Sequence, residues 1–173
     1  TVIKAYNLKY EELKRQGEIA ENDLRESTKV HKHIARSKDD YLFANSVKTI
    51  IENPEIKAQL KMPHDFDNLY HWIIIASYYS MYHAATAAIS KKKIKCSSHI
   101  ATIASLAKHY LEEEELEFKF LKTLEYVYIN YIESGRESRE GAQYNVDKEY
   151  TQKEAFEVFE NAGKFVERVS EIV

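Results

Sequence analysis

Apolar side chains recur at a period near 3.6 along each long segment of the chain, the spacing of an amphipathic helix. From residue 2 to about 35 two seven-residue series interleave: Ile3, Tyr10, Gly17, Leu24 and His31, and Tyr6, Leu13, Ala20, Ser27 and Ile34. Such a heptad seam predicts one long helix that packs on the rest of the molecule or on a second copy. Ser37 is placed to cap the next helix, with Asp39 and Asp40 in its first turn, where carboxylates meet the positive end of the helix dipole. That helix carries Tyr41, Leu42, Ala44, Val47, Ile50 and Ile51. It ends at Asn53-Pro54, because the residue before a proline disfavours helix. Pro54 opens a short helical turn to about residue 61, and Pro63 breaks the chain again.

Asp65 or Asp67 then caps a central helix over roughly 67 to 91, and Ser97 or Ser98 caps another that runs to about Leu111. The acidic run Glu112 to Glu115 opens a helix containing Leu116, Phe120, Leu124, Val127 and Tyr131, with Gly135 as its C-terminal stop. Residues 136 to 150, RESREGAQYNVDKEY, lack helical periodicity and read as a loop. Thr151 and Glu154 have capping-box spacing ahead of a last helix that buries Ala155, Phe156, Phe159, Ala162, Phe165, Val166 and Val169. The fold class that follows is all-α: an antiparallel bundle of four to five core helices over residues 37–173, with an additional long N-terminal helix in residues 1–36. More than two thirds of the residues are expected to be helical, with no sheet.

Composition sharpens this picture at a few points. Four Gly and two Pro are too few for the turns of an antiparallel sheet protein of this length. Leu69 to Ile89 contains no Asp, Glu, Lys or Arg and is long enough to span a bilayer. Ser, Thr, Tyr and His fill nine of its positions, however, and those groups need partners that lipid does not offer. A central helix of a bundle, apolar on all sides, accounts for it better than a membrane span. Lys91, Lys92, Lys93 and Lys95 suit the negative end of that helix. The single Cys96 has no internal partner and reads as a small, inert core residue. With a Thr1 to Arg15 stretch that lacks the apolar core of a signal peptide, it points to a cytoplasmic protein. A net charge of −3 excludes dependence on a large basic surface, though not a local basic site.

Several chemistries are excluded by residue type and spacing. A carboxylate-bridged di-iron site in a bundle needs Glu-x-x-His on two helices, and no His here has Glu three residues before it. His31 and His33 are two apart and point in different directions on a helix, so no metal site is expected there. Neither glycine-rich phosphate motif, G-x-x-x-x-G-K-[ST] or G-x-G-x-x-G, is present. No cofactor is implied.

Four segments, in order, carry a resemblance. Ala76-Ser-Tyr-Tyr-Ser-Met-Tyr-His-Ala-Ala85 is similar to the A-x-Y-Y-A-M-F-H-A-A helix of HEPN domains, the small helical domains of prokaryotic toxin–antitoxin and defence systems. Lys95 to Ile103, KCSSHIATI, resembles the K-T-H-S-G-V-I start of the following helix, with His99 at the His position. Arg139-Glu-Gly-Ala-Gln-Tyr144 resembles the family's R-x-x-A-D-Y loop, and Glu154-Ala155 with Ala162 to Val166 fits the closing helix. The resemblance covers residues 38 to 173 and implies a bundle of four or five helices, often a two-fold dimer. In active members an Arg and a His in an R-x(4–6)-H motif cut RNA. Here no His follows His109, and Gln143, Tyr144 and Asn145 stand where a His would follow Arg139. Gln and Asn do not titrate, and a Tyr of ordinary acidity is a poor base.

The resemblance implies Arg136, Arg139, Tyr144, Tyr79 and His83 as binding residues for a nucleotide or RNA. Catalytic candidates, if any, are Arg139, Tyr144, His83 and His99. Each also has a packing role open to it: the tyrosines as core residues with hydroxyl partners, His83 as a hydrogen-bonded core histidine, and Arg139 as a partner of helix-end carbonyls or of a carboxylate. Three functions remain. The first is a homodimeric HEPN-type protein that binds a nucleotide, an RNA or a nucleotidyltransferase-type antitoxin partner with a degenerate RNase motif. The second is a metal-independent endoribonuclease using Arg139 with a His from a neighbouring helix. The third is a non-catalytic module whose N-terminal helix makes a coiled-coil contact.

Overall fold

A computed structural model describes residues 2–62, 69–111, 124–145 and 147–173. Eight helices and one two-residue ladder are found among them. In chain order they are α1 (Val2–Arg15), β1 (Ile19–Ala20), α2 (Leu24–Ser27), α3 (Val30–Glu52), α4 (Pro54–Gln59), α5 (Leu69–Lys91), β2 (Lys95–Cys96), α6 (His99–Tyr110), α7 (Tyr126–Tyr144) and α8 (Gln152–Ile172). Helix α5 is the axis of an all-α bundle. It packs most extensively on α3, then on α8, α7 and α6. Its small residues, Ala76, Ser77, Ser80, Ala84, Ala85, Ala87 and Ala88, are all buried and let its neighbours approach closely. One end of the core gathers Met81, Leu106, Ile129, Ile132, Phe165 and Val169. The other gathers Ala44, Val47, Ile73, Ile74, Ala155 and Phe159. No helix among the described residues is long and apolar enough to cross a membrane.

The N-terminal segment differs from the expected single helix. Gly17 has φ +77, Gly17 N donates to Lys14 O and Glu18 N donates to Leu13 O. That paired bonding is the Schellman stop, with glycine in the left-handed position, and it ends α1 after Arg15. The chain then pairs β1 antiparallel with β2, Ile19 opposite Cys96 and Ala20 opposite Lys95, a short ladder that the helical reading omits. The seam residues Tyr10 and Leu13 are buried against α6 of the same chain, where the Tyr10 ring meets His109 edge-on at 5.4 Å. Helix α3 begins at Val30 and runs through residue 36 without a break. Ser37 therefore caps nothing. It is buried inside α3 and donates 2.8 Å to Ser80 O, pinning α3 to α5.

Two more expectations are corrected on α7. Gly135 does not stop a helix. It sits inside one, and a Cβ there would lie 2.5 Å from Met81 Cε. Residues 136 to 144 are helical rather than looped, sustained by the Arg136–Glu140 ion pair at 2.8 Å one turn apart. Elsewhere the expected caps are present: Ser98 accepts from Ala101 N, and Thr151 and Glu154 form both bonds of the capping box. Asn53 adds a cap that the sequence reading omits, accepting from Glu55 N and Ile56 N ahead of Pro54. Phe156 is only half buried. The proposed caps Asp65 and Asp67, the break at Pro63, and the Glu112–Glu115 run with Leu116 and Phe120 lie outside the described residues.

Candidate functional site

Three helices bring polar and aromatic side chains together at one place. Helix α5 supplies Tyr78, Tyr79 and Tyr82, which its 3.6 period puts on adjoining faces. The Ser98 cap sets the start of α6 and so fixes His99 in its first turn. The continuation of α7 past Gly135 delivers Arg136, Arg139 and, one turn on, Gln143 and Tyr144. The close approach that Gly135 allows is what carries Arg139 down onto the α5 tyrosines.

Arg139 is only 6% exposed. Its guanidinium carbon lies 5.3, 5.9 and 5.8 Å from the ring centres of Tyr78, Tyr79 and Tyr144. Among the described residues its one hydrogen bond runs from Nη1 to Gln143 Oε1 at 3.0 Å, and its buried Nε has no acceptor. Among the described residues no carboxylate pairs with it. A buried cation held by π faces and one neutral amide is electrostatically incomplete, since desolvating a charge is costly unless an opposite charge or several hydrogen bonds replace the water. Arg136 stands one turn earlier and nearer solvent, bound to Glu140.

His99 stacks on Tyr82, ring centres 4.2 Å apart, and its Nδ1 lies 2.5 Å from Tyr78 Oη. Burial pushes the Tyr78 phenol far up, so it keeps its proton. Burial, then the Arg139 and Arg136 charges, hold His99 below the ordinary histidine range, so its ring is neutral near pH 7. Tyr78 therefore donates to Nδ1, and the hydrogen of the imidazole belongs on Nε2.

His83 lies on the other side of Tyr79, ring centres 6.4 Å apart, and faces α3. It stacks on His33 at 6.0 Å, and its Nε2 is 3.7 Å from Asp40 Oδ2. Burial, His33 and Arg36 push its pKa down to about 4. Asp40 gives little help, because burial raises its own pKa and the contact exceeds hydrogen-bond length. Of the sequence candidates, then, Arg139, Tyr144, Tyr79 and His99 share one cluster with Arg136 beside it, while His83 belongs to a second group. Tyr78 and Tyr82 join the first cluster. His33, Arg36, Asp40 and Phe43 on α3 and Trp72 on α5 join the second. The α3 residues follow one another at steps of three, four and three, a helical stripe visible in the sequence. Cys96 is half buried, and burial pushes its thiol up to about 11, so it is unreactive. Among the described residues no group of three or more His, Cys, Asp or Glu could hold a metal.

Comparison with known proteins places this geometry in a family. No curated protein and no solved structure matches the chain. A family model described as HEPN domain matches residues 58–172, which include α5 to α8 and every residue of the Arg139 cluster. The match takes in most of the chain, and the protein belongs to the HEPN domain family.

Proposed function

We propose that this HEPN protein binds a phosphate-bearing ligand, a nucleotide or an RNA, at the Arg139 cluster and cleaves RNA weakly or not at all. The observation that carries the reading is the buried Arg139 guanidinium, which has no carboxylate partner among the described residues. A phosphate brings the missing charge and the acceptors, and guanidinium is the side chain best matched to it. Arg136 at the more open edge and the Nε2–H of His99 are further donors, and the Tyr79 and Tyr82 rings offer stacking surface.

For the proton transfers the cluster offers no free group among the described residues. In-line attack by a ribose hydroxyl needs one group to take a proton and another to give one. The only basic nitrogen of neutral His99, Nδ1, is occupied by Tyr78. Tyr78 and Tyr144 are phenols, and Gln143 does not titrate. The endoribonuclease reading has one observation in its favour: His99 and Arg139 lie against the same Tyr78 ring, so release of Tyr78 from Nδ1 would free a base beside the phosphate site.

Binding and cleavage separate these readings. A fluorescently labelled single-stranded RNA and a nucleotide should bind wild type, Arg139→Ala should weaken both by about tenfold or more, and the RNA should stay intact in either protein. Cleavage by wild type that disappears in both Arg139→Ala and His99→Ala would establish the endoribonuclease instead. Absence of binding by any phosphate ligand would overturn both.

The homodimer and a nucleotidyltransferase-type antitoxin partner are proposed from family habit. The physical grounds first apparent for a dimer are met within one chain, since α5 is covered by four helices and the α1 seam by α6. The same packing removes the ground for a coiled-coil interaction module.

A further inference from the structure

The second group of residues lines a cleft of about 500 Å³ between α3 and α5, a size typical of small-molecule sites. Its walls are aromatic. Trp72 on α5 and Phe43 on α3 stay 48% and 54% exposed, and Tyr79 closes the end nearest Arg139. Its polar lining is acceptor-rich. Asp39 and Asp40 contribute carboxylates, and Arg36, the one lining cation among the described residues, is already engaged with Asp40 Oδ1 at 3.3 Å. Among the described residues the buried Asp40 Oδ2 and His83 Nδ1 have no hydrogen-bond partner. Buried polar atoms are normally paired, so two unpaired ones beside the same open cleft mark missing partners, and for the Asp40 oxygen a missing donor.

We propose that this cleft is the base subsite of the ligand whose phosphate Arg139 holds, and that it takes a nucleobase with an exocyclic amine. The inference rests on the phosphate reading above and adds the identity of the base. Tyr79 joins the two sites: it lines the cleft, and its ring centre is 5.9 Å from the Arg139 guanidinium carbon. Charge fixes the direction of the ligand. The acidic cleft repels phosphate, which goes to Arg139 and Arg136, and the base enters between Trp72 and Phe43, where π faces stack on any base. Hydrogen bonding then selects among bases. Adenine, cytosine and guanine carry an amine that donates to a carboxylate; uracil and hypoxanthine do not.

The chain contains one tryptophan, so Trp72 fluorescence reports directly on this cleft. The full chain is titrated with AMP against IMP, CMP against UMP, and ribose 5-phosphate. Each amine-bearing nucleotide is expected to quench Trp72 and to bind about tenfold or more tighter than its counterpart. Asp40→Asn, which replaces an acceptor oxygen by a donor, should abolish or invert that preference and leave ribose 5-phosphate binding unchanged. Oligo(A) against AMP identifies the source of the base: a much tighter oligomer points to RNA, and equal affinity points to a free nucleotide. Calorimetry with ribose 5-phosphate keeps the two readings apart. Binding of ribose 5-phosphate that Arg139→Ala removes, together with equal AMP and IMP affinities and a silent Trp72, would overturn the base subsite and leave the phosphate site standing. Adenosine against inosine repeats the comparison without phosphate, so failure at Arg139 does not hide the result. A blue shift of Trp72 with protein concentration alone, in the absence of ligand, would show that a second copy fills the cleft and would also overturn the proposal.

Discussion

His99 and Arg139 show how one side chain sets the chemistry of another. The Arg139 and Arg136 charges disfavour imidazolium and, with burial, hold His99 below its ordinary range. Removing one cation must move it back up. Arg139→Gln keeps much of the side-chain bulk and one amide, so the cluster should stay packed while the His99 pKa rises. Proton NMR titration of the His99 ring checks this, and an unchanged or lowered value would mean that burial alone sets it. The direction matters for function. A His99 that titrates nearer neutrality competes for the proton it shares with Tyr78, and any residual RNA cleavage should then shift toward higher pH together with the ring titration. In the sequence Arg139 and His99 stand in separate motifs. Their meeting through the Tyr78 ring required the third dimension, because residues 78, 99 and 139 come from three helices.

At the scale of elements, the segments that define the bundle were legible, and the misreadings have local causes. The Thr151–Glu154 box, the Ser98 cap and Pro54 at a first helical position are rules about neighbours in sequence, and each is present. The break after α1 is equally local: Gly17 is a C-terminal glycine, but it also falls in the heptad series, and that spacing hides the stop. The end of α7 was illegible for another reason. Residues 136 to 144 hold their helix through the Arg136–Glu140 ion pair, the Arg139–Gln143 hydrogen bond and the buried Arg139 side chain, so they show little apolar period. Gly135, a normal stop signal, serves instead as the point where α7 approaches Met81. The place of α1 can be tested. Leu13 is buried against the same chain's α6, so Leu13→Ala should cost about 3 kcal/mol, within the range for burying less of a leucine. Urea unfolding would measure it, with light scattering alongside. A large change in oligomeric state without loss of stability would mean that α1 packs on a partner.

For the whole molecule, the most general consequence is its response to acid. Five histidines, His33, His71, His83, His99 and His109, are all held below the ordinary range, in each case mainly by burial. His83 is the extreme, at about 4 against 6.5 for an exposed imidazole. Between those two values the unfolded chain binds a proton that the folded chain refuses. The stability His83 contributes is therefore full above pH 6.5 and is lost as the pH falls toward 4, on the order of 3 kcal/mol in all. Asp40 acts in the opposite sense. Burial raises its pKa, so it takes up a proton on folding at acid pH, and that uptake offsets part of the loss. Glu11, Glu12, Glu21 and Glu154, each held below the ordinary carboxyl range chiefly by a hydrogen-bonded partner, act in the same sense as the five imidazoles, so the balance is destabilising. The thermal midpoint should fall steadily from pH 7 to pH 4.5 at constant ionic strength. His83→Gln, which cannot take a proton, should start less stable and show a shallower slope over the same range. A wild-type midpoint that is flat between pH 7 and 4.5 would contradict a neutral, buried His83 in the α3–α5 contact. A slope that is identical in the variant would shift the acid sensitivity to the other four rings.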